Sequence, residues 1–383
     1  MAHLRRAVAG FAAAMAVVAG LATAPAQASP VLTTAVPASG TVQSLNALLG
    51  IPDTCAQTRR QLPILARQGH TFAACTTPAV RPPTQSAEQA QAAAASITVP
   101  PWCTTGWRGT RTEMCEIGYA TLSWYNTSTG VLTGTAGFTV TQDIQPYYLS
   151  RTFAENFELQ VTSVTGTLPG ATLNLAVTCG GTCSATSYFP NGSAIVQGSD
   201  ITTSIAYSDS TTTVNKTYSL YTLSWGVGTT TPITWGSPYY RCDDLISGYS
   251  AGCVVPDVKP VLTTMATLPN IAANIGAIQQ AGPHHYGRQA DGLPLTRNSS
   301  LETANRNVAC PSSRPTPPGM SCDEYPFAKT DQGASQTAAP DWGWAWVPVT
   351  EQSMQGGRIS AFFGQNRVLD GTSGTGDAFW VAV

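Results

Sequence analysis

Two adjacent carboxylates follow a cysteine in the run Cys322-Asp323-Glu324-Tyr325-Pro326-Phe327-Ala328-Lys329-Thr330, in a chain of 383 residues of which only 10% are charged. A carboxylate can take a proton from water or hold a hard cation through its oxygens. On an extended strand neighbouring side chains point to opposite faces, so Asp323 and Glu324 are not expected to address one site together. A second acid, Glu351, is followed four positions on by Gln355, a spacing that puts both on one face of a helix. Gly356 and Gly357 weaken a helix at that point, so the pair can equally sit at its entry. Plainer readings exist for each residue. Asp323 and Glu324 fit a solvated strand end beside a disulfide, Glu351 a charge favoured at a helix N-terminus, and the glycine pair a turn. His284 and His285 rival Asp323 as a base. Trp342, Trp344 and Trp346 alternate and would share one face of a strand, for packing or for stacking on bases.

The elements that hold these residues are read from composition and cysteine spacing. Arg5 and Arg6, an Ala/Val-rich run from Ala7 to Ala22, and Ala26-Gln27-Ala28 form the three parts of a secretory signal peptide over residues 1–28. The expected product is secreted, extracellular and free of the membrane after signal cleavage. All ten cysteines follow that segment and fall in order into five neighbouring pairs, which favours local disulfides, Cys310 with Cys322 among them. Connectivity itself stays open at this stage. Zinc would need paired CxxC-like motifs or more histidines than His70, His284 and His285.

Residues 29–100 read as poorly ordered or linker chain around a short element between Cys55 and Cys75. From 101 to 255 the composition turns to Thr, Ser, Gly and aromatics. Leu173, Leu175 and Val177 alternate with polar neighbours, as do Tyr221, Leu223 and Trp225. This predicts an all-β, sandwich-like middle domain. Residues 256–280 read as a linker and 281–383 as a small α+β domain. Its expected elements are a helix near Leu301–Asn307, strands near Val308–Cys310 and Asp323–Phe327, a helix near Gln355–Phe363 and a final strand. A fragment beginning near Ala281 is accordingly expected to fold alone.

The C-terminal blocks resemble the NucA/NucB deoxyribonuclease family. Its Asp-Glu-(Trp/Tyr)-Pro-x-Ala signature is matched by Asp323 to Ala328. Its acidic-Asn/Gln-x-x-(Gln/Ala)-Gly signature is matched by Glu351 to Gly356, and the ending by Asn366 to Gly371 and Phe379 to Val381. The likeness spans about His284 to Val383. It implies a fold like the ββα-metal nucleases, in which two strands and a helix hold a divalent cation and a general base against the scissile phosphate. By that match Asp323 is the base and Glu351 a ligand of Mg²⁺ or Mn²⁺, with Gln355 and Asn366 as further metal contacts and Glu324 beside the catalytic pair. Arg306, Arg358 and Arg367 are candidates for substrate phosphates, and Arg297 joins them. The chain departs from the family at Gln352, where Asn is more frequent. The implied partner is DNA, with no stable protein partner. From residue 281 onward seven Lys/Arg face nine Asp/Glu, so affinity for DNA should be modest and salt-sensitive. The competing reading is an extracellular glycan- or surface-binding β-rich protein with an inactive nuclease-like domain. A third, a glycosidase carboxylate pair, has only the two acids to support it.

Overall fold

The computed structural model describes residues 42–47, 49–79, 97–226, 232–371 and 376–383, so the signal peptide expected over residues 1–28 lies outside the described residues. The short element expected between Cys55 and Cys75 is a helix followed by a strand. Helix α1 (Cys55–Arg67) leads into a strand at Phe72–Ala79, and the Cys55–Cys75 disulfide staples one to the other. That strand joins the main sheet by pairing antiparallel with β1 (Glu113–Asn126).

Two sheets build the β-rich body. In the larger, β1 pairs with β2 (Leu132–Tyr147) and β2 with β3 (Ser150–Gly166), all antiparallel. In the smaller, β4 (Ala171–Cys179) is a central strand. The larger sheet continues from β3 to β5 (Asp200–Asp209), and β4 pairs with β6 (Ser219–Gly226). Leu173, Leu175, Tyr221 and Leu223 on one sheet and Phe138, Val140, Phe157 and Leu159 on the other share one apolar core. The period-two pattern in β4 and β6 is therefore a burial pattern: one face packs and the other meets solvent. A hairpin of β7 (Tyr240–Asp243) and β8 (Gly252–Val254) is cross-linked by Cys242–Cys253.

Inside that core lies a closed polar network. Glu155, 0% exposed, accepts hydrogen bonds from Tyr207 Oη (2.6 Å), Tyr221 Oη (2.8 Å) and Gln142 Nε2 (2.9 Å), while Trp235 Nε1 donates to Gln142 Oε1 (2.8 Å). Burial pushes the Glu155 carboxyl up to about 7 from its ordinary 4.5, against the pull of those donors. Because the folded value lies above the unfolded one, this group's stabilisation is complete below about pH 4.5 and is lost as pH rises through about 7. The loss is on the order of 3 kcal/mol for one such buried carboxyl. Burial also raises Glu113 and Glu116 to about 7, which adds to the same trend. The thermal midpoint should therefore fall between pH 5 and pH 8, and Glu155→Gln should flatten part of that slope. A variant that keeps the full wild-type slope would show that the network does not carry it.

Residues 256–280, expected as a linker, are folded into the C-terminal core. A short strand at Val261–Leu262, a 3₁₀ turn at Thr264–Thr267 and helix α2 (Pro269–Ala281) bury Leu262, Met265, Leu268, Ile271 and Ile275 with Phe362, Phe363 and Phe379. Pro269 looks like a breaker in sequence but occupies the first turn of α2, where its missing N–H goes unneeded. Helix α3 (Glu302–Ala309) runs through Val308–Ala309, so the strand expected near Val308–Cys310 does not form. Strand β9 (Met320–Tyr325) pairs antiparallel with β10 (Gly343–Pro348), and helix α4 (Val349–Gln365) follows and touches both. Helix α4 continues through Gly356 and Gly357, each about 1 kcal/mol worse than alanine in a helix. Buried Phe362, Phe363 and Gln355 on the same helix outweigh that local preference. The last strand, β11 (Ala378–Val381), pairs parallel with Val261–Leu262 and antiparallel with Leu295–Thr296. Five disulfides join neighbouring cysteines throughout, including Cys310–Cys322, and among the described residues no cysteine is free.

Candidate active site

Strand β9 distributes its two acids to opposite faces. Asp323 points between α2 and α4, where it is 1% exposed: Oδ2 accepts from Asn274 Nδ2 (2.8 Å) and Oδ1 from Gln355 Nε2 (2.8 Å). Asn274 Nδ2 also donates to the Asp323 carbonyl (3.1 Å), which fixes the strand as well as the side chain. Burial pushes the Asp323 carboxyl above its ordinary range, with the like charge of Glu351 adding to it, while Asn274, Gln355 and Arg306 pull the other way.

Glu351 lies in the first turn of α4, one turn before Gln355. Its carboxylate reaches the start of α2 and accepts the backbone N–H of Asn270 (3.0 Å) and of Ile271 (3.2 Å), together with the Asn270 side-chain amide. Those N–H groups have no partner within the helix, and the helix dipole favours an anion there. Gln355 is engaged at both ends, since its Oε1 accepts from Gln352 Nε2 (2.9 Å). It therefore positions Asp323, with one lone pair of its amide oxygen engaged by Gln352.

The opposite face of β9 carries Glu324. Arg306 Nε lies 3.8 Å from its Oε1, and Cys310 Sγ lies 3.4 Å from its Oε2. Burial pushes the Glu324 carboxyl up to about 7, with Arg306 opposing and Asp323 reinforcing. A cavity of about 470 Å³ opens on this face, lined by Glu324, Arg306, Arg297, Lys329, Gln352 and Gln355 among others. The bridge from Gln352 through Gln355 to Asp323 thus connects the two faces.

Other expected site residues fall elsewhere. Asn366 caps the C-terminal end of α4, fifteen positions from Glu351, or about 22 Å along a helix, and its Nδ2 donates to Phe362 O (3.0 Å). It is not brought to Glu351. Arg358 is turned to the backbone and hydroxyl of the turn at Thr264 and Thr267. Arg367 is 0% exposed and pairs with Asp243 of β7, so it is closed to a substrate. His284 binds Asp341 (Nδ1 to Oδ2, 2.6 Å) and stacks on Tyr286, and His285 Nδ1 lies 2.7 Å from the Gln279 carbonyl. Neither contacts Asp323. Trp344 and Trp346 pack ring to ring on β10, with the Arg314 guanidinium over Trp344.

Asn274 was not singled out from sequence, although a signal exists: it lies three positions after Ile271 and just before Ile275, a polar residue within the buried stripe of α2. Asn305 was missed likewise. Fully buried, it donates to the carbonyls of Ala328 (2.7 Å) and Thr330 (3.1 Å) and holds the segment after the Asp-Glu block.

Residues 279–375, about a quarter of the chain, match the family described as deoxyribonuclease NucA/NucB. No curated protein and no solved structure matches the chain.

Proposed function

We propose that the protein is a secreted, divalent-metal-dependent endonuclease that hydrolyses DNA phosphodiester bonds with little sequence preference. The observation that carries this reading is that Asp323 and Glu351, from the two matched family blocks, are both bound to α2, the first through Asn274 and the second through Asn270 and Ile271. The order strand, antiparallel strand, helix in β9, β10 and α4 supports a ββα-metal arrangement. Five disulfides support an oxidising, extracellular destination, and among the described residues no helix is long and apolar enough to cross a membrane.

The donor set suits a hard cation in kind. Two carboxylates repel across this spot, and Mg²⁺ is typically held by one or two carboxylates with waters and substrate phosphates completing its shell. Among the described residues no group of three or more His, Cys, Asp or Glu is placed to hold a metal ion, so any ion here would depend on water and substrate oxygens for the rest of its shell. Glu351 would hold the ion, which when bound supplies positive charge against the developing charge on phosphate. Asp323 takes the proton of the attacking water. Its carboxylate is oriented by Asn274 and Gln355, so that only its protonation state changes during the step. Relaxation of supercoiled plasmid in Mg²⁺ or Mn²⁺, stopped by EDTA, is the expected result. An oxidised, folded protein that leaves plasmid intact in both metals would refute it.

The acid limb of the activity profile should report Asp323. Its raised proton affinity places the loss of activity on acidification above the ordinary aspartate range. Asn274 stabilises the ionised form, so Asn274→Ala should move the limb to higher pH. Profiles of kcat/KM that superimpose for the two proteins would remove Asp323 from the role of base.

A further inference from the structure

The seven lysines and arginines from residue 281 onward are all engaged. Arg288, Arg297, Arg306, Lys329 and Arg367 pair with carboxylates, Arg358 turns to Thr264 and Thr267, and the Arg314 guanidinium lies over Trp344. The same region carries nine acids, so it offers DNA no net positive charge. Among the described residues, the exposed lysines and arginines with no carboxylate partner are Arg59, Arg60, Arg67 and Arg108. Three of these four stand on α1.

Helix α1 presents them on a fixed face. Cys55, Thr58 and Leu62 turn inward, Cys55 and Leu62 pack with Ala73 and Tyr125, and the Cys55–Cys75 bridge ties the helix to the strand behind it. At roughly 100° per residue, Arg60 and Arg67 lie within about 20° of each other on the outward side, about 10 Å apart along the axis. That spacing matches three steps of one DNA strand at about 3.4 Å each. Arg59 flanks them, its Nε donating to the Cys55 carbonyl (3.3 Å). From Cys55 to Ala79 the chain has these three arginines and no aspartate or glutamate, so no acid on the element opposes them.

We propose that the outward face of α1 binds the phosphate backbone of double-stranded DNA, without reading its sequence, and so holds the substrate to the enzyme away from the position of cleavage. The choice of DNA rests on the nuclease reading above, which the inference deepens by making the helix on the β-rich body a second contact for the substrate. Arginine suits this partner because its guanidinium can give a phosphate two parallel N–H bonds. Such contacts carry sequence-independent affinity. An anionic lipid surface fits the face less well. A helix lying on a membrane buries its apolar side there, but the apolar side of α1 is already packed on the sheet, and Ile64 is its one exposed large apolar residue.

The test is fluorescence anisotropy of a fluorescein-labelled duplex with the full chain in EDTA, which halts cleavage, over a series of salt concentrations. Changing Arg60→Gln and Arg67→Gln together removes two phosphate contacts, so the slope of log affinity against log salt should become shallower by about 1.8, or about 0.9 per phosphate. Adding Arg59→Gln should bring the change to about 2.7. All three side chains are exposed, and the double variant keeps the bond from Arg59 to the Cys55 carbonyl, so the wild-type melt should be retained. On plasmid with Mg²⁺ the variants should show a raised KM and an unchanged kcat, because α1 touches no reacting atom. Wild-type and variant proteins with the same affinity and salt slope would overturn the inference, as would a wild type that does not bind duplex at low salt. It is also overturned if the variants keep DNA binding and lose binding to vesicles of phosphatidylglycerol and phosphatidylcholine, which would make the face a lipid contact. If the variants lose DNA binding while the wild type leaves plasmid intact in both Mg²⁺ and Mn²⁺, the surface stands and the nuclease reading fails.

Discussion

Asp323→Asn is expected to lower the rate of DNA cleavage by about 10²–10⁴-fold, the contribution typical of a positioned general base. The change keeps the side chain's volume and removes its capacity to accept a proton. It also sets an amide N–H₂ against Asn274 or Gln355, both of which donate to this carboxylate, so one of those hydrogen bonds must be lost. A thermal melt run beside the rate measurement separates that structural effect from the chemical one, since an unfolded variant loses its transition and a merely inactive one does not. Glu351→Gln should be impaired as well, but differently. A neutral amide holds a divalent cation less tightly than a carboxylate, so raising Mg²⁺ or Mn²⁺ should restore part of its rate, whereas no metal concentration restores Asp323→Asn. Glu324→Gln acts from the opposite face of β9 and should change KM more than kcat, because Glu324 lines the cavity while Asp323 faces α2 and α4. Full activity in Asp323→Asn would refute the base assignment and return attention to His284, whose ring is held by Asp341.

What was legible in sequence had local causes. Cysteines 4 to 20 positions apart pair within their own hairpins and turns, so order along the chain was a good guide to Cys310–Cys322 and the other four bridges. The alternation of Asp323 and Glu324 and the one-turn spacing of Glu351 and Gln355 follow from strand and helix periods. Where the reading fell short, the deciding partner was distant. Asn274 acquires its role from Asp323, 49 positions away, and Arg367 from Asp243, 124 positions away, so each looked like an ordinary residue of its own segment. The Gly356-Gly357 pair misled for a related reason: local preference argued for a break, and tertiary burial of the helix around it decided otherwise.

Arg367 gives the second large expectation. Read from sequence as a phosphate contact, it is instead the centre of a buried charged joint between the β-rich body and the C-terminal region. Its Nε donates to Asp243 Oδ1 (3.0 Å), Nη1 to the carbonyls of Tyr148 and Ser250 (2.8 Å each), and Nη2 to the Asp243 carbonyl (2.7 Å). Its own carbonyl accepts from Arg241 Nη2 (2.6 Å) and Arg111 Nη2 (3.1 Å), and both of those arginines also bind Asp377. Removing one partner of such a buried pair costs about 3–5 kcal/mol, because the other charge is left in a dry site. Arg367→Ala should therefore lower stability by roughly that amount. Asp243→Ala added to it should cost much less than Asp243→Ala alone, since the two residues are coupled. In the wild type the joint should make the two parts unfold in one transition, and in Arg367→Ala the transitions should separate. A fragment starting at Ala281 would lose this joint, the five buried side chains from Leu262 to Ile275 and the Asn274 bond to Asp323, so it should not hold the site. Calorimetry decides between the joint and two independent parts: two resolved transitions in the wild type, with Arg367→Ala melting unchanged, would mean that the body and the C-terminal region fold independently after all.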